Sequence, residues 1–290
     1  MKRRSFLNIL GVDLGGGKAK TTAVATLHVD AKECATVTDL SPRSGAVPLY
    51  DRALLELLSG YGDETLLCID APLTLPPCLR CQVAVCPGQE ACVDPGVVEM
   101  QRLASHSGAG RAGRRGKPPI TPYTQRVTEL HLLHERGLTP REALGQGTGP
   151  LAARAAHLTR ALADRFRLND NLIEVTPKGT LTALGFTRPY KKHLHEREMR
   201  ARILDALAAD LRFGPGVWRE LCVQSDHLFD AVICAYTGFL WARDGWTERD
   251  RASQEFQRAG WIWVPPAGAA VVDEGSEAAA VTKRAAAADR

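Results

Sequence analysis

Apolar and β-branched positions along the chain predict a sheet that begins with three consecutive strands. Residues 6–14 form an apolar run, residues 20–29 alternate between apolar and polar side chains, and residues 35–39 repeat the pattern. A period of two is typical of strands, and the order favours an antiparallel meander. Three further apolar runs, each ending at or near a proline, predict strands at 65–70, 172–177 and 260–265.

Apolar residues at helical spacing lie between these strands. They predict helices at 49–60, 122–136, 150–167, 193–210 and 226–245. The order of elements favours a mixed α/β sheet with helices on both faces, and we expect one domain over residues 1–265. Residues 76–120 break the pattern and predict a cysteine-rich and basic insertion. The Ala-, Gly- and Glu-rich tail at 266–290 is predicted to be disordered.

Composition is that of an ordinary soluble globular protein. The chain has 290 residues, 44% of them hydrophobic and 24% charged, and its net charge of +4 does not by itself predict a polyanionic partner. The start "KRRSFLNIL" resembles a twin-arginine export signal, but Asp13 interrupts the apolar segment that such a signal needs. No apolar run is long enough to cross a bilayer, so we expect a cytoplasmic protein with no membrane partner.

Four acidic residues lie in or at the ends of apolar segments, where an unpaired charge is costly. Asp13, Asp70 and Glu174 stand at strand ends beside Gly or Pro turns, and Asp230 lies within an apolar helix. Each one alone is compatible with a cap or a turn. We expect the strands at 6–14 and 65–70 to be adjacent and parallel, which would bring Asp13 and Asp70 to one site.

Clustered carboxylates repel one another unless divalent cations hold them, and oxygen ligands favour Mg²⁺ or Mn²⁺. Two such ions about 3.5–4 Å apart can cleave a phosphodiester. The sequence therefore predicts a catalytic site in which Asp13 bridges two ions while Asp70, Asp230 and Glu174 complete their shells.

The insertion carries four cysteines with the spacing Cys-x2-Cys-x4-Cys-x5-Cys, namely Cys78, Cys81, Cys86 and Cys92. Four thiolates in a short loop are typical of a structural zinc site, close in spacing to a zinc knuckle. A 4Fe–4S cluster, or thiols without a metal, are the alternatives. The other four cysteines sit in apolar stretches and are predicted to be core residues.

Basic residues follow the cysteines. The cluster comprises Arg111, Arg114, Arg115 and Lys117. Such a cluster can neutralise the phosphates of a nucleic acid, although a solvated loop has the same composition. Lys191 and Lys192 form a second candidate patch.

Six motifs occur in one order over residues 8–265: "GVDLGGGKAKTTAV", "LLCIDAPLTLP", "YTQRVTELHLL", "IEVTPKGTLTALG", "DHLFDAVICAYTG" and "GWIWVP". Together they resemble the family called domain of unknown function 429, whose members are regarded as predicted nucleases with a ribonuclease H-like fold.

The resemblance implies a five-stranded mixed sheet flanked by helices, with acids on the first and fourth strands and on a late helix. Asp13, Asp70 and Asp230 match these places, and Glu174 fits an additional acid on the fifth strand. Arg126 matches the family's polar helix and would contact the DNA or RNA substrate, although it could equally pair with Glu129 at helical spacing.

Two functions of other classes compete with the nuclease. "DLGGGKAKTT" resembles the first phosphate loop of actin-like ATP-binding phosphotransferases, although the spacing is not that of a P-loop and no second such loop is evident. Alternatively, the cysteine cluster is itself the functional centre of a non-catalytic binding or redox-sensing protein.

Overall fold

Seven strands form one sheet in the computed structural model, which describes residues 5–16, 21–30, 34–106, 118–191, 195–247, 251–257 and 259–269. The sheet strands are β1 (Asn8–Asp13), β2 (Ala23–Val29), β3 (Ala35–Ser41), β6 (Thr65–Ile69), β7 (Leu172–Val175), β8 (Leu211–Phe213) and β9 (Ile262–Trp263). A separate two-stranded hairpin consists of β4 (Arg43–Ser44) and β5 (Val47–Pro48).

The strand order is β8-β3-β2-β1-β6-β7-β9. Strands β1, β2 and β3 pair antiparallel, which confirms the predicted meander. β6 lies beside β1 and parallel to it, as predicted, with Gly11 opposite Cys68. The sheet has seven strands rather than the five that the family resemblance implied, because β8 adds to the edge at β3 and β9 adds to the edge at β7.

Helices cover both faces of the sheet, as predicted. Their bounds are α1 (Asp51–Ser59), α2 (Pro77–Arg80), α3 (Pro95–His106), α4 (Val127–His134), α5 (Gly149–Ala161), α6 (Pro177–Ala183), α7 (His195–Ala206), α8 (Arg219–Gln224), α9 (Asp226–Asp244) and α10 (Arg251–Gln257). Ile9 packs with α6, α7 and α9 in one core, whereas Leu10 packs with α1 and α5 in the other. This change of face between neighbours is the period-two alternation of a strand.

The predicted irregular insertion at 76–120 contains a regular helix, α3, which the sequence interpretation missed. Its apolar residues Val97, Met100 and Leu103 recur at helical spacing and pack against Val127 and Leu130 of α4. The side chain of Asp94 accepts hydrogen bonds from the first amides of the helix. The basic cluster of this insertion and the tail from residue 270 lie outside the described residues.

α9 lies directly against β1 because the contact surface carries glycine. A Cβ on Gly11 would lie 2.0 Å from the carbonyl oxygen of Ala231, and one on Gly238 would lie 2.2 Å from Cys68 Sγ. Ser225 caps the start of the helix, and Gly245 ends it in the left-handed conformation. Although α9 is buried and apolar, no helix in the described ranges has both the length and the hydropathy to cross a membrane.

We expect Gly11→Ala to lower the free energy of unfolding by about 1–3 kcal/mol or more, because its methyl group would collide with the backbone of α9. Chemical denaturation measures the change. Gly149→Ala is the matched control, since a Cβ there meets nothing within 4 Å, and its effect should stay within about 0.5 kcal/mol. Equal stability of the two variants would contradict the backbone contact.

Candidate metal site

Three aspartates from three elements meet at one edge of the sheet. Asp13 ends β1, Asp70 directly follows β6, and Asp230 lies in α9. Each offers a carboxylate oxygen, and these oxygens all lie within 4.8 Å of one another. Among the described residues, this is the one set of three or more His, Cys, Asp or Glu side chains that meets such a distance.

Strand pairing explains why Asp13 and Asp70 converge. Parallel neighbours end at the same edge, and the Asp70 amide donates a 2.9 Å hydrogen bond to the Val12 carbonyl oxygen, which continues the β1–β6 ladder. Alternation places both carboxylates on the face that Gly11 presents to α9. Because α9 approaches β1 so closely there, Asp230, next to Ala231, reaches the same point.

Burial and the charges of neighbouring aspartates make Asp70 and Asp230 costly to ionise. The Asp230 side chain is only 1% exposed. Burial raises the pKa of Asp70 well above its usual range, and the charges of Asp13 and Asp230 raise it further, against the opposing effects of Lys191 and Arg141. Burial also raises the pKa of Asp230, although the ammonium of Lys191 opposes the shift. A divalent cation would relieve this repulsion.

Three polar side chains surround the aspartates. Tyr190 donates a hydrogen bond of 3.0 Å from its hydroxyl to Asp230 Oδ1, and the ammonium of Lys191 forms an ion pair with Asp230 Oδ2. His227 Nδ1 lies 2.7 Å from Asp13 Oδ2. This hydrogen bond raises the pKa of His227, since the ionised Asp13 favours the protonated ring. The site thus combines three carboxylates with two cationic groups.

The sequence interpretation missed Tyr190, His227 and Arg141. His227 precedes Asp230 by three residues in the predicted helix, so a face analysis of that helix could have found it. Lys191 was predicted to bind phosphate, and the structure places it beside Asp230 with its side chain 38% exposed. Arg141 lies in a connection without regular structure, where no pattern in the sequence marks it.

Glu174, the fourth predicted acid, lies apart from the three aspartates. It is paired with Ile69 across the β6–β7 ladder, and its strand neighbours Ile173 and Val175 belong to the core that contains α9. Alternation therefore directs Glu174 to the opposite face of the sheet from Asp70. Its Oε2 accepts a 2.9 Å hydrogen bond from the Leu73 amide. The predicted role of Glu174 as a ligand to the catalytic metal does not fit this geometry.

Arg126 donates hydrogen bonds to both carboxylate oxygens of Glu174. Its Nη1 and Nη2 lie 2.8 and 2.6 Å from the two carboxylate oxygens of Glu174, and Nη2 also lies 2.7 Å from Glu129 Oε1. The pairing with Glu129 was one of the two alternatives for this arginine. The other, contact with a nucleic acid, does not fit, because the guanidinium is buried between two carboxylates. Arg126 also donates to Thr74 Oγ1 at 3.0 Å, so the network holds the chain that leaves Asp70.

The cysteines divide as their sequence context predicts. Four are buried in the core, namely Cys34, Cys68, Cys222 and Cys234. The other four are exposed or half-buried on the segment after Asp70, namely Cys78, Cys81, Cys86 and Cys92. The predicted phosphate-binding residues Arg111, Arg114, Arg115 and Lys117, like Lys192, lie outside the described part of the chain.

Comparison with known proteins assigns this chain to a family described as being of unknown function. The sequence model of a family described as "Protein of unknown function (DUF429)" matches residues 11–250. This is most of the chain, and it includes all three aspartates, so the protein belongs to this family. None of the curated proteins and none of the solved structures matches the chain.

The buried network predicts a large effect of removing Arg126, which pairs with both of its carboxylates. Arg126→Met would leave Glu129 and Glu174 buried without a counter-charge, and we expect a loss of about 3–5 kcal/mol in the free energy of unfolding. Urea denaturation measures this loss. Arg52→Met removes an exposed ion pair with Glu56 and should cost less than about 1 kcal/mol. A stable Arg126→Met protein would mean that these carboxylates are solvated.

Proposed function

We propose that this member of the DUF429 family is a phosphodiesterase that uses a divalent cation to cleave DNA or RNA. The observation that carries the proposal is the convergence of Asp13, Asp70 and Asp230 within 4.8 Å. Each comes from a different element, and the backbone of β1 is in contact with that of α9 at this point. A rigid set of carboxylates is what a cation-dependent hydrolase requires.

The donor set fits Mg²⁺ or Mn²⁺. Carboxylate oxygens are hard ligands, and these ions prefer them to the sulfur ligands that zinc accepts. The raised pKa of Asp70 has the charges of Asp13 and Asp230 among its causes, and a cation between them would remove that penalty. Because Glu174 is engaged by Arg126, the three aspartates supply ligands for one cation, and the proposal is limited to one rather than the two first expected.

The residues around the aspartates suit phosphodiester hydrolysis. When bound, the cation supplies an activated water and stabilises charge on the leaving oxygen. Asp13 holds His227 at 2.7 Å and favours its protonated form, while the His227 side chain remains 44% exposed. A protonated imidazole that reaches solvent can donate a proton to the departing oxygen. His227 is therefore proposed as the general acid.

Lys191 is proposed to bind the phosphate. In the structure its ammonium neutralises Asp230, although more than a third of the side chain is exposed. A cation that shares the charge of Asp230 weakens this ion pair and leaves the ammonium available to a phosphate oxygen. The choice of a nucleic acid over a smaller phosphodiester rests on the family resemblance and on the basic residues at 111–117.

The geometry of the glycine turn after β1 weighs against the phosphotransferase alternative. The Gly15 amide donates to Thr22 Oγ1 at 3.1 Å, and its carbonyl oxygen accepts from buried Arg154 at 2.7 Å. A phosphate loop needs amides that are free to donate to phosphate. At Gly15 that group is already used within the protein.

Loss of the Asp13 carboxylate is expected to lower kcat by about a hundredfold or more, because one of the three ligands becomes neutral. Asp13→Asn should be assayed with Mn²⁺ on single-stranded DNA, duplex DNA and RNA, beside ATP hydrolysis. Wild-type protein should also melt several degrees higher when Mn²⁺ is added, and the variant should not. Asp205→Asn, which alters an exposed pair with Arg219, should behave like wild type. Full activity in Asp13→Asn would exclude the site, and ATP turnover without nuclease activity would favour the phosphotransferase.

The general-acid role of His227 predicts a dependence on the leaving group. We expect His227→Gln to reduce cleavage of DNA or RNA by about 10²–10⁴-fold, because the departing oxygen then lacks a proton donor. Cleavage of bis-p-nitrophenyl phosphate should fall much less, since nitrophenolate leaves without protonation. The Mn²⁺-dependent rise in melting temperature should persist. An equal loss on both substrates would indicate that His227 only positions Asp13.

A further inference from the structure

Four cysteines lie on the segment that leads from the candidate site to α3. Cys78 lies in α2, Cys81 directly follows that helix, Cys86 lies in the connection, and Cys92 precedes α3 by three residues. The ends of this segment are anchored. The Cys78 amide donates to the Pro122 carbonyl oxygen at 3.1 Å, and Cys92 packs against the core between α3 and α4.

The connection between these anchors has little to hold it. Residues 81–94 form neither helix nor strand, and the three valines among them, Val83, Val85 and Val93, are exposed. In this stretch, the amide of Cys92 and the side chain of Gln101 both donate to the Gln89 carbonyl oxygen. A connection that buries so little apolar surface does not offset the entropy of ordering it, and a metal is the usual substitute for a core.

The two ends of the cysteine segment lie against each other. A Cβ built on Gly96, at the start of α3, would lie 3.6 Å from Cβ of Pro77 in α2. The Val83 amide donates a 3.5 Å hydrogen bond to Cys81 Sγ, the kind of contact that orients and stabilises a thiolate ligand. The segment thus confines four thiols to the 15 residues from Cys78 to Cys92, and four thiolates in so short a stretch suit one tetrahedral ion.

We infer that Cys78, Cys81, Cys86 and Cys92 bind one zinc ion in a structural site. Four Zn–S bonds of about 2.3 Å form, and four thiol protons pass to solvent. The four thiolates complete a tetrahedron and leave no position for water, so this ion does no hydrolysis. The four sulfur atoms do not form a set within 4.8 Å of one another, as the aspartate oxygens do. Binding of zinc would therefore draw the connection inward and clamp α2 to the start of α3.

The site is independent of the proposed hydrolase, and its test needs no activity assay. The full-length protein should be purified under anaerobic conditions without a chelator. Inductively coupled plasma mass spectrometry should then find about one zinc per chain. A mercurial that modifies thiols should release this zinc. Replacement by Co²⁺ should give the absorption bands of a tetrahedral thiolate site. Removal of zinc should increase hydrogen exchange over residues 77–106.

Cys81→Ser should retain less than a tenth of the zinc, whereas Cys34→Ser, which changes a cysteine outside the segment, should retain all of it. Asp13→Asn should also keep its zinc, which separates failure of this site from failure of the hydrolase. If Cys81→Ser does not fold, the cobalt spectrum of the Cys34→Ser variant will show whether a tetrahedral thiolate site forms without Cys34. Iron with sulfide in place of zinc, intact thiols without metal, or a mass lower by the four hydrogens of two disulfides would each overturn the assignment.

Discussion

Contact between the backbones of β1 and α9 at Gly11 fixes the geometry of the candidate site. A Cβ at this position would lie 2.0 Å from the Ala231 carbonyl oxygen, so no other residue permits the same approach. Asp13 follows Gly11 by two residues on the same face, and Asp230 directly precedes Ala231. The distance between their carboxylates is therefore set by a strand and a helix, which are stiffer than loops. Such rigidity is what allows like charges to be held close together.

Two groups of carboxylates lie in this part of the molecule, and different kinds of cationic side chain neutralise them. Glu129 and Glu174 are held by one arginine, Arg126, which makes short hydrogen bonds to both. The aspartates have cationic neighbours as well, but these are a lysine and a histidine that remain substantially exposed. A guanidinium enclosed by two carboxylates cannot contact a ligand. A cationic side chain that reaches solvent can leave its carboxylate and bind an anionic ligand instead. The second arrangement is the one that suits the proposed hydrolysis.

How much of this could be predicted depended on whether the information was local. Apolar periodicity predicted the strands of the meander, the strand β6 and the buried helix α9, because each of these patterns lies within one element. The strand of Glu174 was predicted correctly, but Glu174 does not join the aspartates. Its neighbours Ile173 and Val175 face α9, and alternation therefore directs Glu174 to the opposite face of the sheet. Its pairing with Arg126, 48 residues away, is not encoded in any local spacing. α3 was missed because its cysteine and glycine neighbours masked a helical repeat of three apolar residues.

The network of Arg126 lies between the two proposed metal sites and would keep them from interfering with each other. Seven residues lie between Asp70 and Cys78. Between them, the Leu73 amide is bound by Glu174, and the Thr74 side chain is bound by Arg126. A movement of the cysteine segment on the proposed binding of zinc would therefore have to pass a point that is hydrogen-bonded to β7 and to the residue before α4 before it reached Asp70. The proposed carboxylate site would stay fixed by the sheet, while the proposed thiolate site could close on its own ion.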